Sequence, residues 1–422
     1  MELTEEQSQV CESALHWIEF KLKYKDFGPH SNFEKQFMTI GGYAGTGKTF
    51  LISGIRKAFK EMFKYFNVAF VTFTGKASSV LRSKLEENNA FFNNDYVGTI
   101  HSLIYKPVFE FDEELQRPVI VRWDKKTDLY DIYDLIIIDE ASMISKSIWE
   151  DLNSFGIPIV AVGDHGQLPP VSSNGDSFSL MSHVDYKLNK IHRQAACSPI
   201  ISLSSFVRRN GFIPSNKAFS AGVFKLSWNS DKCQDIWNNI IFDDSVIVLC
   251  GFNKSRVMLN HVIRSRLDFE DKEPYPGERL VCLKNNPYSK IMNGQIGTLM
   301  WVMPHMKDYR RMTIQVDGMD EPYEGLVNMS CFDQVNYDIM FDKQKFKKEK
   351  RVRVLKKTGF NFIDFFDFGY VISVHKSQGS EWSKVVLFEQ RSRYWDNEFY
   401  KRWLYTAITR AKEKLFVISD YY

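Results

Sequence analysis

The fold of this chain is decided by the stretch Phe37-Met38-Thr39-Ile40-Gly41-Gly42-Tyr43-Ala44-Gly45-Thr46-Gly47-Lys48-Thr49. An apolar run enters a glycine-rich turn, and apolar residues with helical spacing follow in 50–55. Glycine reaches backbone angles closed to other residues, so successive N–H groups of such a turn can surround an anion at the start of a helix. The pattern predicts a phosphate-binding loop, in which Lys48 reaches the β- and γ-phosphates and Thr49 ligates Mg²⁺. An ordinary glycine turn is the alternative, and the flanking strand and helix argue against it.

Length and composition describe a globular protein with more than one domain. The 422 residues exceed what one hydrophobic core holds, and 44% hydrophobic with 25% charged residues is ordinary for a globular chain. A formal net charge of +3 is too small to identify a polyanionic partner. Any nucleic-acid surface is therefore expected to be a local basic channel.

Cysteine spacing and hydropathy indicate the cellular compartment of the protein. The six cysteines show no CxxC spacing, so we interpret them as reduced core thiols of a cytoplasmic protein. No apolar run approaches the roughly 20 residues of a membrane helix. The acidic residues 1–6 are not those of a signal peptide, so we expect a soluble protein without a membrane partner.

The N-terminal segment 3–25 has the pattern of a helix. Thr4 is a favourable N-cap, and Gln7 stands three residues later, as in a capping box. Gln7 also precedes the phosphate loop, where an amide with donors and acceptors could hydrogen-bond to an adenine edge. Helix capping and adenine recognition are equal alternatives for this residue.

Further apolar segments at 68–73, 135–138 and 157–162 alternate with helical patterns. This alternation predicts an α/β fold with a parallel sheet that has helices on its faces. Ligands bind at the carboxyl ends of such strands, so the polar residues that follow each segment are candidate site residues.

Asp139 and Glu140 follow the segment 135–138. We expect Asp139 to hold Mg²⁺, directly or through water, and Glu140 to polarise an attacking water. Two adjacent carboxylates are also common in solvent-exposed loops, and it is the phosphate loop that favours the metal site. Gln167, after 157–162, offers an amide that could sense a γ-phosphate, with a simple turn as the alternative.

Thr74, Gly75 and Lys76 follow the segment 68–73. They are candidates for contacts with an anionic polymer, with a turn and a helix cap as the alternative.

A β-hairpin is predicted where the segments 105–111 and 118–123 flank the polar turn 112–117, and periodicity does not reveal its function. The chain leaves the first domain at 188–194, and a second α/β pattern follows. Its elements are a helix at 197–210, a strand at 246–250, a helix at 253–267, a strand at 370–374, a helix at 399–411 and a strand at 415–418.

Short alternating strands between 297 and 327 and the basic run 343–353 predict a small β-barrel-like insertion in the second domain. A charge run of this kind is more often a solvated face than a nucleic-acid contact.

The order of these segments resembles that of the superfamily 1 helicases, in the 1B branch that contains RecD and the phage Dda-like helicases. The resemblance covers essentially the whole chain, and several motifs in the right order are far more specific than any one of them. The stretches that carry it are 3–7, 42–49, 72–77, 99–101, 139–143, 163–171, Arg193, 374–379 and 405–411. One departure is Phe73, where relatives often have proline.

The resemblance implies two RecA-like P-loop NTPase lobes with parallel sheets, a hairpin pin in the first and an SH3-like insertion in the second. The first RecA-like domain is implied at 1–103 with 126–187, and the pin at 104–125. The second RecA-like domain is implied at 188–294 with 366–422, and the SH3-like accessory domain at 295–365.

The resemblance also implies the residues of the sites. ATP and Mg²⁺ lie between the lobes, with Thr49 and Asp139 as metal ligands. The nucleotide contacts are Gln7, Gly42, Gly45, Thr46, Gly47, Lys48, Thr49, Gly379 and Glu381. The catalytic residues are Lys48, Asp139, Glu140, Gln167, Arg193 and Arg410, with both arginines reaching from the second lobe. The DNA contacts are Thr74, Gly75, Lys76, Thr99, His101, His375 and Ser377, and Phe109 and Phe111 are candidates for the separating aromatic of the pin.

The implied activity is ATP-dependent 5′→3′ travel on single-stranded DNA with unwinding of forked duplex DNA, in replication, recombination or repair. A monomer that works beside a single-strand-binding protein or replication proteins is expected. The first alternative is an ATPase translocase that displaces bound proteins without efficient strand separation. The second is a subunit with a vestigial nucleotide site, against which the intact Lys48, Asp139, Glu140, Arg193 and Arg410 argue.

Overall fold

The computed structural model describes residues 3–23, 35–63, 65–112, 117–170, 178–192, 197–214, 222–269, 272–286, 291–303, 308–336 and 362–419. The chain divides into two compact units, Met1–Phe109 with Ile120–Arg209 and Glu110–Val119 with Asn210–Tyr422. The first unit extends to Arg209, beyond the border predicted at 187/188.

The first unit is built on a six-stranded parallel sheet. Its strands are β1 (Phe37–Gly42), β2 (Val68–Thr72), β3 (Tyr96–Thr99), β6 (Leu135–Ile138), β7 (Ile159–Gly163) and β8 (Tyr186–Leu188). They lie in the order β3-β2-β6-β7-β1-β8. The strand that ends at the phosphate loop is therefore beside β7, which in turn pairs with the strand that ends before Asp139.

The sheet is covered on both faces, as the wholly apolar strand β6 shows. Leu135 and Ile137 belong to one hydrophobic cluster, whereas Ile136 and Ile138 belong to another. Such continuous apolar strands are typical of a parallel sheet between two helix layers. The helices of this unit are α1 (Glu5–Lys23), α2 (Lys48–Met62), α3 (Gly75–Glu87), α4 (Ile100–Ile104), α5 (Leu129–Ile132), α6 (Lys146–Asn153) and α7 (Pro199–Asn210), with a 3₁₀ helix at Ala141–Met143.

The predicted hairpin is present as a two-stranded sheet of β4 (Tyr105–Asp112) and β5 (Arg117–Lys125). Phe109, Phe111 and Trp123 are exposed on it. Exposed aromatic rings on a two-stranded ribbon are candidates for a contact with another molecule.

The second unit contains a five-stranded sheet in the order β17-β10-β18-β19-β9, in which every pair is parallel. These strands are Val223–Leu226 (β9), Val246–Cys250 (β10), Val371–Ser373 (β17), Trp382–Phe388 (β18) and Ala411–Ile418 (β19). The helices are α8 (Asp231–Asn239), α9 (Asn253–Arg266) and α10 (Asn397–Ile408), with 3₁₀ helices at Met329–Cys331 and His375–Ser377. In the described part of the chain, no helix combines the length and the apolar composition needed to cross a bilayer.

A second, mostly antiparallel sheet completes this unit, with the order β15-β14-β13-β12-β11-β16. Its strands are Arg279–Cys282 (β11), Ile296–Val302 (β12), Tyr309–Val316 (β13), Tyr323–Asn328 (β14), Ile363–Asp364 (β15) and Phe366–Phe368 (β16). The sheet therefore extends beyond the predicted insertion 295–365 at both ends. The basic run 343–353 lies outside the described residues.

A buried ion pair fastens α2 to the segment that leads into the edge strand β3. Arg56 Nη2 lies 2.8 Å from Asp95 Oδ1, and Arg56 Nε lies 3.0 Å from Asp95 Oδ2. The two side chains are 1% and 0% exposed. Asp95 also accepts from Phe92 N at 3.0 Å, but Arg56 is the counter-charge of this buried carboxylate, so the pair is needed as a unit.

We expect Arg56→Ala to lower the free energy of unfolding of the first unit by about 3–5 kcal/mol, because it leaves a buried carboxylate without its counter-charge. Denaturant titration monitors this loss. The matched control is Arg122→Ala, whose ion pair with Asp124 is exposed and contributes about 0–1 kcal/mol. Equal losses in the two variants would contradict the prediction.

Candidate nucleotide and nucleic-acid sites

The phosphate loop has the backbone geometry that its glycines predict. Gly45 and Gly47 have φ angles of +82° and +73°. A β-carbon on Gly47 would lie 2.6 Å from Gln7 Nε2 and 2.5 Å from His192 Nε2. Glycine is therefore required at this position by its backbone angles and by the space around it.

Lys48, the first residue of α2, points back into the loop. Its Nζ donates to Gly42 O at 3.0 Å and to Tyr43 O at 3.3 Å. Thr46 Oγ1 donates to Tyr43 O at 2.8 Å and closes the same turn. The ammonium group thus lies among the backbone groups that form the anion cradle, bonded to carbonyls that a phosphate oxygen could replace as acceptors.

Thr49 and Asp139 meet in space although 90 positions separate them in sequence. Thr49 Oγ1 donates to Asp139 Oδ2 at 3.2 Å, and the N–H of Glu140 donates to Asp139 Oδ1 at 2.9 Å. Burial raises the pKa of Asp139, and the Lys48 ammonium and these hydrogen bonds oppose that rise. A hydroxyl and one carboxylate fit Mg²⁺, which keeps water and phosphate oxygens as its other ligands.

Glu140 and Gln167 lie at the same edge of the first sheet. Glu140 has a φ of +56°, a left-handed conformation that is uncommon for a residue other than glycine and is concentrated at functional sites. Gln167 is 4% exposed, and its Oε1 accepts no hydrogen bond from any described residue. A buried amide oxygen of this kind is available to a ligand or a water.

Gln7 performs the capping role in this structure and also contacts the loop. Thr4 N donates to Gln7 Oε1 at 3.0 Å, and Gln7 N donates to Thr4 Oγ1 at 3.3 Å, which is a capping box. Gln7 Nε2 donates to Thr46 O at 3.1 Å. The helix cap therefore places the amide against the phosphate loop, and the adenine contact stays a prediction.

Three residues beside the loop, His165, His192 and Arg208, were missed by the sequence analysis. His192 N donates to Gly45 O at 3.0 Å, and its ring nitrogen lies 2.9 Å from Gln7 Nε2. The guanidinium carbon of Arg208 lies 3.4 Å from the centre of the Tyr43 ring, which also packs on His165 at 4.2 Å. Tyr43, an aromatic residue inside the glycine loop, could have indicated a ring contact there, but no sequence spacing relates it to Arg208.

The candidate DNA contacts of the first unit lie after the neighbouring strands β2 and β3. Thr74 Oγ1 accepts from Ala77 N at 3.2 Å, and Thr99 Oγ1 accepts from Ser102 N at 3.2 Å. Both threonines therefore cap helices, as the alternative for Thr74 anticipated. Gly75 and Lys76 begin α3, and His101 lies exposed on α4.

Arg410 is buried within the second unit. Its guanidinium donates to Thr406 O at 3.0 Å, to Ser380 O at 3.0 Å and to Thr409 Oγ1 at 3.1 Å. The neighbouring Gly379 has a φ of +73°, and Glu381 Oε2 lies 3.7 Å from Lys412 Nζ. The arginine is thus held by neutral acceptors. Arg193 lies outside the described residues, while His192 before it belongs to the first unit.

His375 and Ser377 form a 3₁₀ turn directly after β17. Ser377 is fully buried, and its hydroxyl donates to Val374 O at 2.7 Å, so its side chain orders the turn. The His375 ring lies 5.9 Å from that of Phe399, in the first turn of α10, and burial lowers its pKa. A neutral imidazole offers a hydrogen bond to a nucleic-acid backbone without a charge.

The candidate contacts at His375 and at Arg410 lie near opposite ends of α10. His375 packs at its first turn, whereas Ser380 and Arg410 meet at its last. A helix of 12 residues is about 18 Å long, so the candidate DNA contact and the candidate phosphate contact lie at opposite edges of the second parallel sheet.

Two family models match this chain. Residues 31–215 match one described as an AAA domain, and residues 368–418 match one described as a UvrD-like helicase C-terminal domain. The chain is 25% identical to the ATP-dependent DNA helicase dda of Enterobacteria phage T4, over 91% of this chain and 95% of that protein. It is 24% identical to the ATP-dependent RecD2 DNA helicase of Deinococcus radiodurans, over 67% of this chain but only 36% of that longer protein.

The fold has a counterpart among solved structures. The Pif1 helicase from Bacteroides, in complex with ADP-AlF3 and ssDNA, aligns with a TM-score of 0.53 and 16% identity, over 99% of this chain and 93% of that one. The predicted fold class, α/β with two RecA-like lobes, is confirmed.

We expect Gly47→Ala to weaken nucleotide binding about tenfold or more, because alanine is strained by about 1–2 kcal/mol at this backbone angle and its β-carbon fills the space next to Gln7 and His192. A fluorescent nucleotide titration measures the change.

Gly211→Ala is the matched control, since Gly211 has a φ of +80° but no atom within 4 Å of the place that a β-carbon would take. It should lower stability by about 1 kcal/mol and leave nucleotide affinity unchanged. Equal nucleotide affinities in the two variants would refute the role of the crowded glycine.

Proposed function

The chain belongs to the superfamily 1B helicases of the RecD- and Dda-like kind, and on this basis we propose that it is an ATP-dependent DNA helicase. It moves 5′→3′ along single-stranded DNA and separates the strands of a forked duplex. The family expected from the order of the motifs is confirmed, while the direction of travel and the substrates are part of the proposal.

The observation that carries the proposal is the convergence of Lys48, Thr49 and Asp139 at the carboxyl edge of the first parallel sheet. A lysine in a glycine loop next to a hydroxyl and a carboxylate provides the groups that hold the phosphates and the metal of a nucleotide. We therefore assign ATP and Mg²⁺ as cofactors. Bound Mg²⁺ supplies positive charge that polarises the phosphate oxygens.

The residues around this centre divide the work of hydrolysis. Lys48 exchanges its bonds to Gly42 O and Tyr43 O for bonds to phosphate oxygens. Glu140 orients the attacking water, and the buried amide of Gln167 contacts the water or the γ-phosphate. The contacts proposed for Gly42, Gly45, Thr46 and Gly47 come from the backbone of the loop.

Arg193 and Arg410 are proposed to stabilise the charge that develops on the transferred phosphoryl group. In other nucleotide hydrolases an arginine with this role contributes about 10³ to 10⁵ in rate. Arg410 must first leave the carbonyl oxygens of Thr406 and Ser380, so its engagement is coupled to a rearrangement of the second unit. ATP then favours one conformation and hydrolysis releases it.

Translocation along DNA requires contacts with the strand from both units. We propose that Thr74, Gly75, Lys76, Thr99, His101 and His375 hold the backbone, with Ser377 ordering the turn that carries His375. Alternating grip from the two units during the ATP cycle moves the protein along the strand. Contacts of this kind are independent of sequence and weaken with salt.

The remaining parts are assigned by the same reasoning. The hairpin is the strand-separating pin, and the antiparallel sheet of the second unit is the SH3-like accessory domain. We expect a monomer in the cytoplasm, where the six free cysteines stay reduced. It acts in replication, recombination or repair, beside a single-strand-binding protein or replication proteins.

Lys48→Ala should lower the rate of ATP hydrolysis by about 10² to 10³ or more, because it removes a preorganised positive donor from the phosphates. A steady-state ATPase assay with single-stranded DNA measures the rate, and circular dichroism checks the fold. Lys57→Ala, an exposed lysine on the same helix, should hydrolyse ATP at the wild-type rate. Wild-type turnover in Lys48→Ala would refute the nucleotide site.

Deletion of residues 110–117 should leave DNA-stimulated ATP hydrolysis and translocation intact and abolish unwinding, because it removes the hairpin that splits the duplex. A strand-displacement assay compares forked substrates with 5′ and 3′ tails. Unwinding of the 5′-tailed fork by the shortened protein would show that the hairpin is not the pin. Translocation without unwinding by the intact protein would instead favour a translocase that displaces bound proteins.

A further inference from the structure

An exposed loop with two arginines and two aromatic residues follows β18 in the second unit. Its sequence is Gln390-Arg391-Ser392-Arg393-Tyr394-Trp395, and we name it the Arg-Tyr loop. None of the stretches that resemble helicase motifs includes this loop. Tyr394 is 80% exposed, which is unusual for a ring of this size in a globular protein.

The Arg-Tyr loop is anchored at both of its ends. Gln390 Oε1 accepts from Gly251 N at 2.9 Å, and Gln390 Nε2 donates to Ser255 Oγ at 2.7 Å. Trp395 stacks on Phe252 at 5.4 Å with an interplanar angle of 28°. Two fixed ends hold the residues between them in place, so the exposed tyrosine is presented by a built turn.

The turn itself is closed by internal hydrogen bonds. Tyr394 N donates to Ser392 Oγ at 3.2 Å, and Trp395 N donates to Ser392 O at 3.1 Å. The exposed ring is thus presented with its backbone already ordered, and binding to it loses little conformational entropy.

The two arginines of the loop carry charge that no described carboxylate neutralises. Arg391 donates to Asn397 Oδ1 at 2.5 Å, and Arg393 donates to the Tyr394 hydroxyl at 2.6 Å. Both of these acceptors are neutral. Arg393 lies over the exposed Tyr394 ring at 4.8 Å, and Arg391 lies over the buried Tyr400 ring at 4.7 Å. The loop therefore offers two positive charges, one of them directly beside the exposed ring.

The acidic residues nearby in sequence are already engaged. Asp396 caps α10 by accepting from Phe399 N at 2.7 Å, and Glu398 accepts from Lys401 Nζ at 3.1 Å. These carboxylates reduce the positive field of the loop but do not pair with its arginines.

The loop is continuous with the candidate DNA contact at His375. The strands β10, β17 and β18 are parallel, so the segments that follow them leave the same edge of the sheet. Phe399 touches Trp395 at 5.1 Å and His375 at 5.9 Å. Arg410, in contrast, lies beyond the far end of α10.

We propose that the Arg-Tyr loop is a binding site for single-stranded DNA, in which a base stacks on Tyr394 and Arg391 and Arg393 contact phosphates. An aromatic ring next to unpaired cations is the combination that binds single strands without sequence preference. The inference rests on the proposed function, because it extends the strand path away from His375. The Arg-Tyr loop adds a base-stacking contact beside His375, for which only a contact with the DNA backbone was proposed.

The test measures the affinity of the full chain for a fluorescent oligo(dT) at several salt concentrations. Tyr394→Ala should weaken binding about 5- to 150-fold, as expected for the loss of one stacked base, and Tyr394→Phe should retain wild-type affinity. The double variant Arg391→Ala with Arg393→Ala should reduce the salt slope by about 1.4, since each phosphate contact on a single strand contributes about 0.7. The rate of ATP hydrolysis without DNA should stay unchanged in all three.

Tyr65→Ala and Arg311→Ala are the matched controls. Tyr65 is 90% exposed in the first unit, and Arg311 is an exposed arginine of the accessory sheet that pairs with Glu324. Both variants should bind oligo(dT) with the affinity and the salt slope of the wild type. Thermal denaturation confirms that every variant is folded.

The outcomes separate this inference from the proposed function. Failure of the wild-type protein to bind oligo(dT) or to hydrolyse ATP would reject both. Normal binding and hydrolysis in the wild type, with unchanged affinity in Tyr394→Ala and an unchanged salt slope in the arginine variant, would overturn only the Arg-Tyr loop. Equal weakening in Tyr394→Phe and Tyr394→Ala would overturn stacking as its mode of binding.

Discussion

The hydrogen bond between Thr49 and Asp139 is the contact on which the nucleotide site depends. It joins the start of α2 to the end of β6, and it exists only because β7 lies between β1 and β6 with a fixed register. Two interstrand spacings separate the strand ends by about 10 Å. The loop and the first turn of α2 cross that interval, so the register of buried apolar strands determines where the hydroxyl and the carboxylate meet.

In the second unit, the candidate DNA contact at His375 and the candidate phosphate contact at Arg410 are separated by the length of one helix, α10. The turn after β17 runs from His375 to Ser380, and α10 runs alongside it, so a single pair of segments connects the two edges of the sheet. Arg410 and His375 therefore lie near opposite ends of one packed helix. Packed elements shift between discrete arrangements rather than deform continuously, which suits a coupling between ATP and DNA in the proposed motor.

The sequence predicted those elements whose signals are local. The strand and loop from Phe37 to Thr49, the strand before Asp139 and the hairpin all carry their patterns within a few residues, and each is present. Membership of β16 in the antiparallel sheet could not be predicted, because this short strand pairs with β11, which is distant in sequence. The four-residue strand β11, which pairs with β12, was also not predicted. The accessory sheet is consequently larger than the predicted insertion.

Side-chain roles were harder to predict than elements. Thr74 and Thr99 were expected at a DNA surface, and their hydroxyls cap helices, since a threonine before a helix satisfies an N–H group whatever else it binds. Ser377 was expected to contact the strand, and it is buried in its own turn. His192 and Arg208 reach the phosphate loop through folds of the chain that leave no pattern in the sequence.

The formal net charge of +3 does not say where positive charge lies on the surface. Arg56, Arg256 and Arg264 are almost fully buried, and each is paired with a buried carboxylate. Such pairs join elements of the fold and contribute little field outside it. Arg391 and Arg393 are exposed and bonded only to neutral acceptors, so their charge acts on the solvent side. Attraction for a polyanion depends on exposed cations such as these, and the total charge of the chain is a poor guide to it.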